Sequence, residues 1–159
     1  RPMRILYGRE CLVGLRQEAV NIIPEGRMIT MPLRILVVDD ENINLRLVSR
    51  LIEMEGYEVV SAQSGEAALR LIEQTAPDLA LLDVMMPVMD GYELCRRLRQ
   101  NPVTAQIPIV MLTALVDEND RLKGIEAGAD DCFPKPFDVD VLRTMLKRFL
   151  LDQNLGGMP

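Results

Sequence analysis

The residues of this sequence that are best suited to chemistry are three aspartates, a threonine and a lysine. Each stands where a short strand-like segment ends and a polar turn begins. In chain order they are Asp39, Asp40, Asp83, Thr113 and Lys135. Asp83 is the most informative of them because it closes the continuous apolar run 79–82. A carboxylate that follows a buried strand is costly unless another group pairs with it.

Three carboxylates brought close together repel one another, and a divalent cation with oxygen ligands relieves that repulsion. Magnesium suits such a site because it takes a few carboxylates and keeps waters that phosphate oxygens can replace. Lys135 adds a point charge that can reach a carboxylate or a phosphoryl oxygen. The set predicts a phosphoryl-transfer centre in which Asp83 attacks phosphorus and Thr113 donates a hydrogen bond to the acyl phosphate.

The scaffold for these residues is an alternation of short apolar strands and amphipathic helices that begins at residue 33. Strands are expected over 33–38, 57–62, 77–83, 107–112 and 130–133. Helices are expected over 42–55, 65–74, 91–100, 117–127 and 139–151. Five strands alternating with five helices predict an α/β fold with a doubly wound parallel sheet. The carboxyl ends of its strands meet at one edge, where open α/β sheets bind ligands.

Both ends of the chain lie outside this alternation. Residues 1–30 are expected to be an N-terminal extension, and hydrophobic spacing predicts one helix in it, from about 9 to 22. The extension has three interpretations, which are a linker from an upstream domain, a native segment, or sequence ahead of a start at Met28 or Met31. Residues 31–151 form the predicted domain, and 152–159 form a short C-terminal tail.

The amino-acid composition and the net charge exclude several classes of function. Hydrophobic residues make up 48% of the 159 residues, enough for a sizeable core, and no segment approaches the roughly 20 apolar residues that span a bilayer. The absence of histidine excludes Ser-His-Asp and Cys-His nucleophiles and histidine metal ligands. Three widely spaced cysteines predict buried, reduced thiols. The net charge of −6 argues against direct nucleic-acid binding, and a cytoplasmic protein without a membrane segment is expected.

Each candidate residue also has a simpler interpretation. An Asp-Asp pair after a strand is often a helix N-cap, a threonine there is usually a cap, and a lysine before proline usually lies in a surface turn. A flavodoxin-like or dinucleotide-binding site would need a Gly- or Ser/Thr-rich phosphate loop where this chain has Asp39, Asp40 and Glu41. The conjunction of polar residues at four strand ends favours the phosphoryl-transfer centre.

Residues 33–151 resemble the receiver domains of two-component response regulators. The resemblance rests on five motifs, which are Ile35 to Glu41, Leu82 to Gly91, Ile109 to Ala114, Gly128 to Asp131 and Lys135 to Phe137. It implies a chemotaxis-regulator-like fold with the strand order 2-1-3-4-5. It also implies a phosphorylation-dependent switch that takes its phosphoryl group from a partner histidine kinase or phosphotransfer protein.

The resemblance assigns roles to the candidate residues. It makes Asp83 the phosphoacceptor. It implies a Mg²⁺ ion held by the side chains of Asp39, Asp40 and Asp83 and by the backbone carbonyl of Met85. The hydroxyl of Thr113 would be the switch, and Lys135 would contact the phosphate. Downstream it implies an effector protein or domain, and it leaves open a homodimer through the face of the fourth helix, fifth strand and fifth helix.

One position departs from the family pattern. Three residues before the lysine, where the family usually has Tyr or Phe, this chain has Cys132, so the aromatic half of the switch is expected to be altered. Phe133 is adjacent but should point to the opposite face, since side chains alternate along a strand. Met85 and Leu115 are apolar at positions that flank the phosphoryl group. Because neither can orient an attacking water, slow autodephosphorylation is expected.

Two further functions remain as alternatives. A degenerate receiver would work as a constitutive interaction module, an interpretation that Cys132 raises although all the reactive positions are intact. An aspartyl-phosphatase enzyme is disfavoured, because Met85 stands where a second aspartate would be expected as the acid–base group. The chain is therefore expected to be a phosphoacceptor and not an enzyme that turns over a substrate.

Overall fold

The structure is a computed structural model that describes residues 18–22, 28–114, 117–136 and 138–150. Its strands are β1 (Glu18–Ile22), β2 (Met28–Pro32), β3 (Arg34–Val38), β4 (Glu58–Ala62), β5 (Leu79–Asp83), β6 (Ile109–Thr113) and β7 (Asp131–Pro134). Its helices are α1 (Asn42–Met54), α2 (Gly65–Gln74), α3 (Gly91–Gln100), α4 (Glu118–Ala127) and α5 (Val139–Leu150). None of these five helices is long and apolar enough to cross a membrane.

Strands β3 to β7 form one parallel sheet in the order β4-β3-β5-β6-β7. Counted from β3, this is the order 2-1-3-4-5, so the predicted fold is confirmed. Val38 at the end of β3 is in register with Leu82 of β5, and Thr113 at the end of β6 is in register with Pro134 of β7. The carboxyl ends of neighbouring strands are therefore nearly level, and residues that follow them share one edge of the sheet.

Helices cover both faces of the sheet because successive strand residues point to opposite sides. The core beneath α1 and α5 includes the buried side chains of Ile35, Leu79, Leu81, Ile52 and Leu142. The core beneath α2, α3 and α4 includes Leu36, Leu82, Met111, Ile72 and Leu94. Burying a side chain of this kind contributes roughly 1.5–3 kcal/mol. Together the two cores hold the strand ends in fixed positions.

Local sequence signals account for several helix ends. The side chains of Ser64, Asp90 and Asp117 accept hydrogen bonds from backbone N–H groups in the first turns of α2, α3 and α4. Such caps satisfy N–H groups that have no partner within the helix. Helix α4 ends at Gly128, which has φ 106°, a conformation that glycine adopts without a steric penalty.

Arg99, in the last turn of α3, ties together segments that are distant in sequence. Its guanidinium donates hydrogen bonds to the carbonyl oxygens of Gly128 at 2.8 Å and Ile107 at 2.5 Å, and to Asp130 Oδ2 at 2.8 Å. The same Asp130 oxygen accepts a hydrogen bond from the backbone N–H of Ile109 at 2.8 Å. Arg99 therefore anchors the start of β6 and the turn between α4 and β7.

The N-terminal hairpin corrects one prediction. The spacing of apolar residues predicts a helix over 9–22, but β1 pairs antiparallel with β2. The helix is therefore wrong over β1, and residues 9–17 lie outside the described part of the chain. Short apolar segments fit more than one periodicity, and the β-branched Val20 and Ile22 favour the extended backbone. Whether 1–30 form a separate unit stays a prediction.

Val88 offers a test of the backbone geometry. It lies between β5 and α3 with φ 69°, and its side chain is 99% exposed. A left-handed backbone costs a residue with a Cβ roughly 1–2 kcal/mol, and here no packing offsets the cost. Val88→Gly should raise the free energy of unfolding by about 0.5–1 kcal/mol, after subtracting the extra freedom of glycine in the unfolded chain. Urea denaturation measures this difference.

Two further variants serve as controls. Val88→Asn should also stabilise the protein, since asparagine tolerates positive φ, and Val88→Ala should gain less. A lower stability for Val88→Gly than for the unchanged chain would contradict the strained backbone at this position.

Candidate functional site

The carboxyl edge of the sheet holds all five polar residues singled out in the sequence. Asp83 is the last residue of β5, and Asp39 and Asp40 directly follow β3, its neighbour in the sheet. Thr113 is the last residue of β6, and Lys135 follows β7. The backbone N–H of Lys135 donates a hydrogen bond to the carbonyl oxygen of Thr113 at 2.8 Å. The strand order thus brings these five residues, which are far apart in the sequence, to the same edge of the sheet.

The three aspartates form a compact group. One carboxylate oxygen from each of Asp39, Asp40 and Asp83 lies within 4.8 Å of the others. Asp39 and Asp83 are only 3% and 8% exposed, whereas Asp40 is exposed to solvent. The backbone N–H of Glu41 donates a hydrogen bond to Asp39 Oδ1 at 2.9 Å, which fixes the orientation of that carboxylate. The group is therefore a well-ordered concentration of negative charge with one open side.

Lys135 is the cation that faces this group. Its Nζ lies 2.7 Å from Asp39 Oδ2 and 3.3 Å from Asp83 Oδ1. The bond between Lys135 and Pro136 is cis. A single ammonium group therefore bridges the two buried carboxylates, and it offsets part of the repulsion between them.

Burial shifts the pKa values of Asp83 and Lys135 in opposite directions. It raises the pKa of Asp83 from 3.8 to about 6, with Lys135 opposing the rise and Asp39 and Asp40 adding to it. Burial alone would lower the pKa of Lys135, but its hydrogen bond to Asp39 and the charges of Asp83 and Asp39 raise that pKa overall. At neutral pH Asp83 is mostly an ionised carboxylate beside an ammonium group, and a carboxylate is a usable nucleophile.

Gly91 shapes the turn that follows Asp83. A Cβ added to Gly91 would collide with the backbone of Asp83 and Val84, and the N–H of Gly91 donates a hydrogen bond to the Val84 carbonyl at 2.9 Å. The start of α3 therefore packs directly on the end of β5. The sequence motif contains this glycine, but its role in the close approach becomes visible only in the fold.

The residues expected to form a switch lie beside α4. Thr113 is buried, and Cys132 points into the core on the α4 side of the sheet, while Phe133 packs into the opposite core as predicted. Helix α4 approaches β7 closely at Gly124, where an added Cβ would lie 2.9 Å from Cys132 Sγ. A thiol and a glycine thus meet at the position where the resemblance implies an aromatic ring. Sequence reasoning missed Gly124.

The prediction of buried thiols holds for Cys95, whereas Cys132 is only half-buried. Cys95 and Cys132 are free thiols, and Cys95 is buried. Burial raises the pKa of the Cys95 thiol to about 11 and also raises the pKa of Cys132. Thiols with raised pKa values are poor nucleophiles at neutral pH. Cys11 and Leu115 lie outside the described residues, as does Phe137, the last residue of the fifth motif.

The donor set fits a small, hard divalent cation. Three carboxylates at close range offer only oxygen ligands, which Mg²⁺ prefers, and the exposed side at Asp40 leaves room for water and phosphate oxygens. The side chain of Met85 is 63% exposed next to this group. Its backbone carbonyl as a fourth ligand stays a prediction.

Fold and site together define a receiver-type α/β domain, and comparison with known proteins gives the family. A family model described as the response regulator receiver domain matches residues 35–147. The chain belongs to this family. It is 48% identical over 108 residues to the response regulator PleD of Caulobacter vibrioides, covering 68% of this chain and 24% of PleD.

Other relatives are similar over the same region. The DNA-binding dual master transcriptional regulator RpaA of Synechocystis is 44% identical over 117 residues, which are 74% of this chain and 48% of RpaA. The chain therefore spans about a quarter of the length of PleD and about half of the length of RpaA. The chemotaxis protein CheY4 of Vibrio cholerae superposes with a TM-score of 0.72 at 33% identity, covering 74% of this chain and 98% of CheY4. The response regulator DrrB of Thermotoga maritima superposes with a TM-score of 0.69 at 36% identity, covering 79% of this chain and 56% of DrrB.

The raised pKa of Asp83 predicts a pH-dependent stability in metal-free buffer. Because the folded chain binds this proton more tightly than the unfolded chain, the free energy of unfolding should fall as pH rises from about 4 to about 6. At pH 7 the cost of the ionised group should be about 1–2 kcal/mol after allowance for solvent screening. Asp83→Asn removes this cost. It should therefore be more stable than the unchanged chain at pH 7 and equally stable below pH of about 4.

Urea denaturation across this pH range in EDTA provides the measurement. Glu53→Gln, which alters an exposed carboxylate on α1, is the matched control and should leave the pH dependence unchanged. A constant difference between Asp83→Asn and the unchanged chain at all pH values would contradict the raised pKa.

Proposed function

We propose that this chain is a phosphorylation-dependent signalling switch whose phosphoacceptor is Asp83. The observation that carries the proposal is the contact of Lys135 Nζ with both Asp39, at 2.7 Å, and Asp83, at 3.3 Å, at the open edge of the sheet. Receiver domains of response regulators accept phosphoryl groups from histidine kinases and relay the signal to effector domains. A partner histidine kinase or phosphotransfer protein is the donor that we propose here.

The transfer step follows from the geometry of the acceptor. An oxygen of the Asp83 carboxylate attacks phosphorus, and its lone pair forms the new O–P bond. The bond from phosphorus to the donor nitrogen breaks, and its electron pair stays on that nitrogen. The Lys135 ammonium group then pairs with a phosphoryl oxygen, and the hydroxyl of Thr113 donates a hydrogen bond to another. No proton needs to leave Asp83, because it reacts as a carboxylate.

Asp39, Asp40 and Asp83, with the Met85 carbonyl, would hold Mg²⁺. When bound, the cation offsets the negative charge that the carboxylates share with the phosphoryl oxygens. Asp39 contributes a carboxylate that the Glu41 N–H already orients. The apolar side chain of Met85 cannot orient an attacking water, so we also propose that the acyl phosphate hydrolyses slowly.

The output of the switch involves α4. Phosphorylation adds roughly one to two negative charges at the sheet edge, by analogy with other phosphoryl groups. We propose that Thr113 responds to this charge and that the packing of α4 on Cys132 and Gly124 changes with it. We propose that a downstream effector protein or domain recognises the changed surface. We also propose a homodimer that forms through α4, β7 and α5. A cytoplasmic location without direct nucleic-acid binding by this chain also belongs to it.

The alternative of a degenerate, constitutive interaction module gains no support from the site. All the reactive side chains converge, and a module without phosphotransfer would not need two buried carboxylates beside a lysine. An aspartyl-phosphatase enzyme fits less well, because Met85 offers no second carboxylate two residues after the acceptor.

Acetyl phosphate provides a direct test of the acceptor. Incubation with acetyl phosphate and Mg²⁺ should add the mass of one phosphoryl group to the intact protein, and EDTA should prevent the addition. Asp83→Asn should lose at least about a hundredfold in rate, because the carboxylate nucleophile is replaced by a far less nucleophilic amide. Asp140→Asn, at an aspartate that is exposed on α5, is the control and should react normally. Phosphorylation of Asp83→Asn at an undiminished rate would refute the proposed function.

A further inference from the structure

A polar pocket lies along α1, on the side of this helix that is turned away from Asp83. It has a volume of about 450 Å³ and is formed by α1 together with the end of β4, an edge strand of the parallel sheet. Among the described residues, none lines both this pocket and the open space beside Asp83 and Lys135. The pocket is therefore separate from the site of the proposed phosphoryl transfer.

The lining from α1 is one polar stripe of the helix. Its residues are spaced at i, i+4, i+7, i+8 and i+11, so their side chains share one face. They are Asn42, Arg46, Ser49, Arg50 and Glu53. Such a stripe usually meets only solvent, but here residues at the end of β4 complete the lining of a pocket.

Arg46 and Arg50 give the pocket its positive charge. Both are exposed and lie one helical turn apart, and in the described part of the chain neither forms an ion pair with a carboxylate. Arg34, Arg99 and Arg143, by contrast, each pair with an acidic side chain. In a chain with a net charge of −6, two neighbouring arginines without acidic partners form a local site that suits an anion.

Polar groups with unused hydrogen-bonding capacity also line the pocket. Ser49 Oγ is buried and has no hydrogen-bond partner among the described residues, which is a costly and uncommon state. Rotation of this side chain about χ1 can turn the hydroxyl toward the pocket. Gln63 Nε2 donates a hydrogen bond to Asn42 Oδ1 at 3.2 Å, and this bond leaves the N–H groups of Asn42 and the side-chain carbonyl of Gln63 available. Ser61 adds a further exposed residue with a hydroxyl group.

The lining favours one class of anion. A guanidinium group donates two parallel hydrogen bonds to phosphate oxygens, so a pair of them matches a phosphate dianion. The described lining holds no aromatic side chain on which a nucleobase could stack, and Leu45 is its single apolar residue. Glu53, at the far end of the stripe, can accept hydrogen bonds from hydroxyl groups but repels a second anionic group. The volume falls within the roughly 300–1,000 Å³ of small-ligand sites.

We propose that this pocket binds a small phosphate ester that carries several hydroxyl groups. Its phosphate pairs with Arg46 and Arg50. Its hydroxyl groups exchange hydrogen bonds with Asn42, Gln63 and Glu53. This inference goes beyond the proposed function and does not depend on it, because binding at the pocket requires no phosphorylation of the chain.

The experiment titrates the full, ¹⁵N-labelled chain with glucose 6-phosphate as the probe and inorganic phosphate as the reference. EDTA is present so that Mg²⁺ cannot recruit phosphate to the aspartates at the sheet edge. The largest amide shifts in the NMR spectrum should lie within residues 42–53 and at Ser61 and Gln63. Glucose 6-phosphate should bind about tenfold more tightly than inorganic phosphate, because its hydroxyl groups add hydrogen bonds. Arg46→Gln and Arg50→Gln should each weaken its binding about tenfold, since each removes a charge-assisted hydrogen bond.

Three further variants serve as controls. Arg70→Gln removes an exposed arginine on α2, outside the pocket, and should leave the affinity unchanged although the net charge changes equally. Asp83→Asn should bind the ester as the unchanged chain does. Ser49→Ala should bind it about threefold more weakly, yet its urea midpoint without ligand should be equal or higher, because a buried hydroxyl without a partner is removed.

Several results would overturn the inference. Equal losses of affinity in Arg46→Gln and Arg70→Gln would reduce the binding to general charge attraction, and shifts centred on Asp83 would place it at the wrong site. Equal affinity for the two probes would contradict the role of the hydroxyl groups. Tighter binding of adenosine monophosphate than of glucose 6-phosphate would contradict the ligand class, and displacement of the ester by an acidic peptide at lower concentration would assign the pocket to a protein partner instead.

Discussion

The repulsion between buried carboxylates at the sheet edge is the constraint on which the rest of the structure depends. Asp39 and Asp83 lie on neighbouring strands and are nearly excluded from water, a position that is costly for two like charges. Lys135 lies within 3.3 Å of both and offsets part of that cost. Burial, with smaller contributions from the charges of Asp39 and Asp40, still raises the pKa of Asp83 to about 6. A divalent cation with oxygen ligands would relieve the repulsion that remains among these carboxylates.

The fold keeps this unfavourable arrangement in place by means that lie away from it. Two apolar cores fix the positions of the strands that end next to Asp39 and Asp83. Gly91 has no side chain, so α3 can pack directly on the end of β5. Arg99 anchors the start of β6, at the end of the strand opposite Thr113, and the turn before β7. Helix α4, by contrast, meets β7 through the small pair Gly124 and Cys132. Helix α4 buries only Gly124 and Ala127, fewer residues than any of the other four helices, and it is the element that the proposed switch would move.

Sequence reasoning predicts most of the fold, because hydrophobic periodicity and caps are local. The alternation from residue 33 onward, the cap at Ser64 and the helix end at Gly128 all follow from neighbours in the chain. The helix predicted over 9–22 is wrong at strand β1 because a short apolar segment fits both periods. Contacts such as those of Arg99 could not be predicted, since their partners are set by the packing of distant segments. The five polar residues were found because each stands at a strand end, but the bridging of two carboxylates by Lys135 required the three-dimensional arrangement.

The measurement that tests the central claim most directly is the Mg²⁺ affinity of Lys135→Met, determined by isothermal titration calorimetry beside the unchanged chain. If Lys135 neutralises Asp39 and Asp83 as their contacts indicate, it competes with the cation for the same carboxylates. Its removal should then tighten Mg²⁺ binding by about three- to tenfold at neutral pH, although phosphorylation becomes slower. Binding that is unchanged or weaker in Lys135→Met would contradict the account of a shared site.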